Sequence, residues 1–263
     1  MVEHVMLSKT YDPKKHKVTR WWWSEKLDGV RAWYSPKENK LFTRTYKEIV
    51  APQKLLEELK SIGLPLDGEL YTGRENFNET VSAVRKTTNH DDSDWENVKF
   101  IVFDAIIIKV PFKLRKESIL KAVTGRNSKF ITPITHHEVE SLENLQVQFD
   151  QIIAKKGEGI MIINPDSMYE FKRSGNLLKM KSFHDCEVKV IEILPGTGKY
   201  EGMMGALRCQ MAEGQIVKVG TGFDDAQRAN PPVQPGDTIT IKYFEINKGT
   251  GVPRFPVFLR KYC

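Results

Sequence analysis

Apolar residues recur along the chain with two spacings, and these spacings predict where helices and strands lie. Leucine, isoleucine and valine at intervals of three and four residues predict helices at 52–62, 77–84, 114–123 and 138–155. Pro52 and Gly63 bracket the first helix, and Gly157 follows the last. Apolar runs with β-propensity predict strands at 21–34, 40–45, 64–72, 98–108, 160–163 and 177–183. A polar loop is predicted at 87–94, and the strand at 98–108 is apolar enough to be buried on both faces.

The pattern changes near residue 182. Short strands separated by glycine-rich turns fill the segment from Cys186 onward, with a single helical turn expected at 224–229. About 80 residues of closely spaced strands are typical of a small β-barrel. We therefore expect an α+β chain of two domains, residues 1–183 and residues 184–263.

Charged residues interrupt the apolar strands at nine places: Lys26, Asp28, Arg31, Arg44, Glu69, Asp104, Glu158, Lys179 and Lys181. An unpaired buried charge is very costly, so one interruption alone would indicate a paired structural charge. Nine interruptions of both signs indicate a polar cleft between two sheets. The segment from Lys26 to Arg31 has the spacing K-x-D-G-x-R. Taken alone, this segment is equally compatible with a hairpin whose charges are solvated.

The composition is that of an ordinary soluble globular protein, with 263 residues of which 40% are hydrophobic and 28% charged. Apolar runs stay well below the ~20 residues that span a bilayer, and the N-terminal residues lack the apolar core of a secretion signal. We therefore expect a cytoplasmic protein without a membrane partner. Cys186, Cys209 and Cys263 lack the spacing of a zinc site and are expected to be free thiols. The net charge of +6 favours a polyanionic partner only weakly.

The side chains expected in the cleft suit a nucleoside triphosphate. Lysine and arginine match phosphate oxygens, and carboxylates match a divalent metal ion and ribose hydroxyls. The sequence has no Walker-type loop. A lysine in such a pocket can act as a covalent nucleophile when neighbouring cations and a bound metal favour its neutral form. Lys26 is the candidate, because Gly29 lets the nearby backbone approach a phosphate closely.

Six sequence blocks resemble, in the same order, those of ATP-dependent DNA ligases of the minimal bacterial and phage type. EKLDGVR resembles the adenylated-lysine motif of this covalent nucleotidyltransferase superfamily, FTRT the arginine block, DGEL the carboxylate block and FIVFDAI the strand that lines the base. EGIMI and LLKMKSF resemble the last two blocks of the catalytic domain. The resemblance implies a nucleotidyltransferase domain of antiparallel sheets with flanking helices, followed by a small OB-fold barrel.

The same resemblance implies a role for each block in sealing nicked double-stranded DNA. Lys26 would attack the α-phosphate of ATP, while Lys179 and Lys181 would hold that phosphate and stabilise its developing charge. The nucleotide would also be held by the backbone at Glu25, by Asp28, by Arg31 and Glu69 on the ribose, and by Phe103 stacked on adenine. Glu158 would bind Mg²⁺ or Mn²⁺, and Arg44 would contact the 5′-phosphate at the nick. Asp104 is expected either to join this site or to make a structural hydrogen bond.

The C-terminal domain departs from the family pattern in its last motif. The family's R-x-D-K sequence has no clean match in RFPVFLRKYC, which lacks the aspartate. Lys199, Lys218 and Lys242 are candidate DNA contacts, although a solvated strand residue is the simpler interpretation of each. Without an N-terminal DNA-binding domain or a long clamp hairpin, we expect weak, salt-sensitive DNA binding by a monomer that needs no protein partner.

Three other functions share parts of this pattern. An RNA ligase uses the same nucleotidyl chemistry, and comparing nicked DNA with nicked RNA separates the two. A capping guanylyltransferase would require GTP in place of ATP. A non-catalytic nucleic-acid-binding relic would form no covalent AMP adduct, and the intact lysines and glutamates of the cleft argue against it. The leading expectation is a DNA ligase of DNA repair or phage DNA replication.

Overall fold

The computed structural model describes residues 5–86, 92–243, 246–247 and 249–262. The chain divides into two compact units, Met1–Met180 and Lys181–Cys263. The domain boundary expected after residue 183 stays a prediction. Cys186 and Cys209 are free thiols, whereas Cys263 and most of the predicted loop at 87–94 lie outside the described residues. No helix among the described residues is long and apolar enough to cross a membrane.

The first unit consists of two β-sheets and the helices that cover them. Its strands in chain order are β1 (Leu7–Thr10), β2 (Trp22–Lys26), β3 (Val30–Ser35), β4 (Lys40–Thr43), β5 (Glu48–Ile49), β6 (Leu66–Tyr71), β7 (Lys99–Ala105), β8 (Ile131–Pro133), β9 (His137–Glu138), β10 (Gly159–Ile163) and β11 (Arg173–Lys181). Its α-helices are α1 (Gln53–Ile62), α2 (Phe77–Arg85), α3 (Phe112–Val123) and α4 (Leu142–Ala154).

The first sheet has the strand order β1-β11-β10-β2-β9, and α4 packs on one of its faces. Leu145 and Phe149 of α4 share a buried core with Trp23, Ile160 and Leu178 of the sheet. Successive side chains of a strand point to opposite faces. Side chains that alternate with the core residues along β2 and β11 therefore project from the open face of the sheet. Lys26 and Lys179 are among them.

The second sheet has the strand order β5-β4-β3-β6-β7-β8, and α1, α2 and α3 contribute to the core on one face. Tyr34, Leu70 and Phe100 belong to that buried core. The same alternation puts Arg31, Glu69 and Phe103 on the opposite face. The expected α+β arrangement of mainly antiparallel sheets with flanking helices is confirmed, with two parallel strand pairs added, β1–β11 and β7–β8.

Two predicted segments have different boundaries in the structure because of local hydrogen bonds. The helix predicted from residue 138 begins at Leu142, because the Ser141 side chain accepts a hydrogen bond from the Asn144 N–H at 3.0 Å and caps the helix there. Arg44 was expected inside a strand that runs to residue 45. The strand ends instead at Thr43, whose carbonyl accepts from the Tyr46 N–H at 3.0 Å, so Arg44 is exposed in the turn that follows.

Two other predictions for strands of the first unit are corrected. The strand at 98–108 was expected to be buried on both faces, but β7 is fully buried only on its helix-covered face. Phe103 on the other face is half-buried, because α1, α2 and α3 pack on the opposite face of the sheet. The strand expected at 177–183 runs from Arg173 to Lys181, and its added residues Arg173 and Ser174 pair with Leu7 and Ser8 of β1.

The second unit is mainly β-structure. It contains β12 (His184–Pro195), β13 (Met204–Gln210), β14 (Ile216–Val219), β15 (Thr238–Tyr243) and β16 (Val257–Lys261), with the short helix α5 (Asp225–Ala229). The sheet order is β14-β13-β12-β15-β16, with antiparallel neighbours. A single bridge from Thr221 to Val257 joins the two edges, so the ladder of the described strands is not a continuous closed barrel. Asp224 and Gln227 form a capping box, in agreement with the helical turn predicted at 224–229.

Candidate active site

The K-x-D-G-x-R segment connects the two sheets of the first unit. Lys26 ends β2 in one sheet, and Arg31 lies in β3 of the other, so the hairpin interpretation is wrong. Gly29 makes this crossing possible. A Cβ atom at Gly29 would lie 2.2 Å from the backbone oxygen of Leu70, which leaves no room for any other residue.

Lys26 and Glu158, 132 positions apart in sequence, form an ion pair at the end of the first sheet. The pairing of β2 with β10 places Lys26 opposite Gly159, next to Glu158 in the chain. The side chain of Glu158 is 4% exposed and that of Lys26 is 21% exposed. The amine is therefore held in place by a buried carboxylate while it stays accessible from the cleft.

Arg31 on the second sheet is held on several sides. Its Nε and Nη2 atoms donate to the two carboxylate oxygens of Asp67 at 3.0 and 2.6 Å, and Tyr169 Oη donates to Asp67 Oδ2 at 2.6 Å. The guanidinium lies 5.2 Å from the centre of the Phe103 ring. A bidentate pair of this kind fixes the guanidinium plane as well as its position. Glu69 lies directly opposite Arg31 in the pairing of β3 with β6.

Glu69 is the most strongly perturbed acid that projects into the cleft. Loss of hydration raises its pKa to about 8, and the negative charges of Glu158 and Asp67 act in the same direction. Lys26 and Arg31 oppose this shift without cancelling it. These influences show that the open faces of the two sheets lie close together. Glu69 is thus a carboxyl group that a hydroxyl donor or a further cation would stabilise.

A second ion pair lies beside the nucleophile candidate. Arg74 Nε and Nη2 donate to the two oxygens of Glu25 at 2.9 and 2.8 Å, and Nη1 donates to the Lys155 carbonyl at 3.3 Å. Glu25 directly precedes Lys26 in β2, Arg74 follows β6, and Lys155 follows α4. Three segments of the first unit therefore meet at one guanidinium.

Asp104 has the structural role that the sequence left open. Its carboxylate accepts from Arg115 Nε and Nη2 at 2.7 and 2.9 Å, and Arg115 Nη1 donates to the carbonyls of Val110 and Ser167. Burial raises the pKa of Asp104 to about 6, although the Arg115 charge opposes the shift. The arginine is fully buried in α3, so this pair joins the helix to β7.

The remaining predicted residues are more scattered. Asp28 lies in the crossing between β2 and β3, and Phe103 projects from β7 beside Arg31. Lys179 and Lys181 share one face of β11, with Lys181 as the first residue of the second unit. Of the lysines proposed as DNA contacts in the second unit, Lys199 pairs with Asp225 at 2.8 Å. Lys242 Nζ lies 4.4 Å from the Phe183 ring centre, and Lys218 is exposed on β14.

Sequence reasoning missed four residues that hold the site together: Asp67, Arg74, Arg115 and Tyr169. Asp67 stands beside Glu69 in DGEL, so its charge inside an apolar strand was a usable signal. Arg74 and Arg115 lie in polar stretches, RENFNE and KLRKES, where a solvated side chain is the ordinary interpretation. Tyr169 had no signal in its sequence neighbourhood.

Comparisons with known proteins agree with this geometry. The model of the ATP dependent DNA ligase domain matches residues 5–181, and that of the DNA ligase OB-like domain matches residues 195–261. The chain is 33% identical over 257 residues to a DNA ligase of Haemophilus influenzae, covering 98% of this chain and 91% of that protein.

Solved structures show the same relationship. A structure from a structure–function analysis of Lig E DNA ligases, which bind DNA with a minimal scaffold, is 31% identical, with a TM-score of 0.88 and full coverage of both chains. The Chlorella virus DNA ligase–adenylate is 26% identical, with a TM-score of 0.57, over 100% of this chain and 99% of that one. This chain belongs to the ATP-dependent DNA ligase family.

Proposed function

We propose that this DNA ligase joins a 5′-phosphate to a 3′-hydroxyl at nicks in duplex DNA, through an AMP group carried first by Lys26 and then by the DNA. The observation that carries the proposal is the position of Lys26, held by buried Glu158 at the end of one sheet while Arg31 and Glu69 project from the other. A lysine in this environment is positioned for attack on a bound nucleotide rather than for solvent exposure.

The nucleotide-binding roles follow from the side chains of the second sheet. Arg31 and Glu69 would hold the ribose, because a fixed guanidinium donates hydrogen bonds and a poorly hydrated carboxyl group gains from a hydroxyl partner. Phe103 would stack on adenine, and the backbone at Glu25 would contact the edge of the base. Asp28 would orient the lysine and the nucleotide.

Buried Glu158 fits a divalent metal ion. Mg²⁺ in phosphate sites is usually held by one or two carboxylates, waters and substrate oxygens, and Glu158 supplies one such carboxylate. Glu158 would hold Mg²⁺, or Mn²⁺ in its place. The bound ion would supply positive charge next to the phosphates.

The chemistry requires two transfers of AMP. The Lys26 amine forms a bond to the α-phosphorus of ATP as pyrophosphate leaves, with Lys179 and Lys181 stabilising the charge on the phosphoryl oxygens. The DNA 5′-phosphate then takes the AMP from Lys26, and Arg44 would position that phosphate. Attack by the 3′-hydroxyl on this phosphate forms the phosphodiester and releases AMP.

Incubation with ATP labelled at the α-phosphate tests the first transfer. The wild type should give a labelled protein band, and Lys26→Ala should give none. Lys156→Ala is the matched control, because it removes a lysine whose side chain is 68% exposed and which pairs with Glu75. The label of this variant should equal that of the wild type. An unlabelled wild-type protein that is folded and not already adenylated would refute the mechanism.

Substrate choice needs a separate experiment. The enzyme should seal a nicked DNA strand faster than a nicked RNA strand. Faster sealing of the RNA strand would favour the RNA ligase alternative.

We further propose that the enzyme acts as a cytoplasmic monomer without an obligate protein partner. Sedimentation at several protein concentrations tests the monomer.

A further inference from the structure

Three aromatic rings form a stack on the open face of the β3–β4 hairpin. Trp33 and Phe42 lie opposite each other in the pairing of β3 with β4, with ring centres 4.9 Å apart. Tyr46, in the turn after β4, stacks on Phe42 at 4.7 Å with an angle of 8° between the rings, and lies 5.5 Å from Trp33. We refer to Trp33, Phe42 and Tyr46 as the aromatic platform. Tyr46 forms its outer surface, since the residue is 45% exposed.

Tyr46 has a backbone conformation that its residue type disfavours. Its φ angle is +63°, in the left-handed region that glycine adopts without strain and that bulky residues rarely adopt. The ring contacts with Phe42 and Trp33 and the hydrogen bond from Tyr46 Oη to Glu38 offset the cost of this conformation. An exposed ring held in a strained turn points to contact with a ligand.

The surroundings of the platform suit a nucleic acid strand. Trp33 follows Arg31 by two residues on β3, so the platform is on the same face of the sheet as the nucleotide-binding side chains. Arg44 and Lys47 are exposed on either side of Tyr46 in the turn. Cations beside an exposed ring match the alternation of phosphates and nucleosides along a strand.

We propose that Tyr46, supported by Trp33 and Phe42, contacts the nucleoside that carries the 5′-phosphate of the nick. This inference rests on the proposed function, in which Arg44 holds that phosphate. The ring would pack against the apolar surface of the nucleoside next to it. The contact would add affinity for nicked DNA without any role in the reaction of Lys26 with ATP.

The test compares variants of the same hairpin. Tyr46→Gly accepts the left-handed backbone and removes the ring, whereas Tyr46→Phe keeps the ring and removes the hydroxyl group that donates to Glu38. Asn39→Gly is the matched control, because Asn39 also has a positive φ in this hairpin but carries no ring. We expect Tyr46→Gly to weaken binding of nicked DNA about ten-fold in gel-shift titrations, and both other variants to stay within about two-fold of wild type.

A second substrate identifies the partner of the ring. In this duplex, propanediol replaces the nucleoside that carries the 5′-phosphate, and the phosphate itself is kept. The wild type and Tyr46→Gly should bind it equally, because the surface that the ring contacts is gone. A ten-fold difference that persists on this duplex would overturn the proposal, and so would unchanged binding of ordinary nicked DNA by Tyr46→Gly.

Labelling with ATP separates this inference from the proposed function. Tyr46→Gly should form the AMP adduct at the wild-type rate. Loss of the adduct in this variant would show that the ring supports the fold of the first unit, and would overturn the contact role. Failure of the wild type to form the adduct would instead refute the proposed function, while the gel-shift comparison would still report on Tyr46.

Discussion

Glu69→Gln should make the ligand-free protein more stable while it impairs the reaction with ATP. Glu69 is poorly hydrated in the folded protein, and Glu158 and Asp67 add unfavourable negative charge around it. An amide of the same shape carries no charge and avoids both costs. The same change would weaken the proposed ribose contact, so the variant should be more stable but less active.

The size of the effect follows from the pKa of Glu69, which is 4.5 in its ordinary state and about 8 in the folded protein. A raised acid pKa means that the folded state binds the proton more tightly, so Glu69 costs no stability well below pH 4.5 and costs more as the pH rises toward 8. Each pH unit in this window corresponds to about 1.4 kcal/mol. Glu69→Gln should therefore raise the free energy of unfolding by about 3 kcal/mol at pH 7, and by almost nothing at pH 4.

Urea unfolding followed by tryptophan fluorescence measures this change in the first unit alone. All five tryptophans lie at positions 21, 22, 23, 33 and 95, within that unit. Glu48→Gln is the matched control, because Glu48 forms an exposed pair with Lys40 and its loss should change stability by less than about 0.5 kcal/mol. A stability difference between Glu69→Gln and wild type that is absent at pH 7, or equal at pH 4 and pH 7, would refute the reasoning.

Three further substitutions test other parts of the first unit. Arg115→Met should lower the free energy of unfolding by about 3–5 kcal/mol in urea, because it leaves Asp104 buried without its cation, and a loss below about 1 kcal/mol would contradict that role. Arg74→Ala should raise the KM for ATP in the labelling reaction, because Arg74 holds Glu25, whose backbone is proposed to contact the base. Sealing of pre-adenylated nicked DNA should be unchanged, and equal losses in both reactions would contradict this role. Gly29→Ala should abolish labelling, because its Cβ atom would lie 2.2 Å from a backbone oxygen; wild-type labelling would show that the crossing tolerates a side chain.

Much of the site was predictable because strand residues have only two directions in which to point. A charge inside an apolar strand either projects from the face opposite the helices, as Glu69 and Arg31 do, or is buried with a partner, as Asp104 is with Arg115. The order of the six blocks also defined the family. These two signals were local, and they required no knowledge of which strands are neighbours.

The residues that the sequence did not reveal depend on partners far away in the chain. Arg115 looks like one more cation on the surface of α3 until its partner Asp104, in β7, is known. Tyr169 is recognisable only through Asp67, 102 positions away. The strained turn at Tyr46 has no glycine to mark it. Pattern and propensity describe a residue's own segment, whereas these roles arise from contacts between segments.

The charges of the cleft also constrain how a nucleotide can enter it. Lys26 and Arg31 lie near the three carboxyl groups of Asp67, Glu69 and Glu158, and loss of hydration raises the pKa of Glu69 although both cations oppose the shift. A triphosphate adds several negative charges close to these carboxyl groups, and each like-charge contact is unfavourable. We therefore expect ATP to bind together with a divalent cation, because only added positive charge makes acidic residues and phosphates compatible at this distance. Acidic residues lower the affinity of a site for phosphate alone, but they suit a site that binds a nucleotide together with a metal ion.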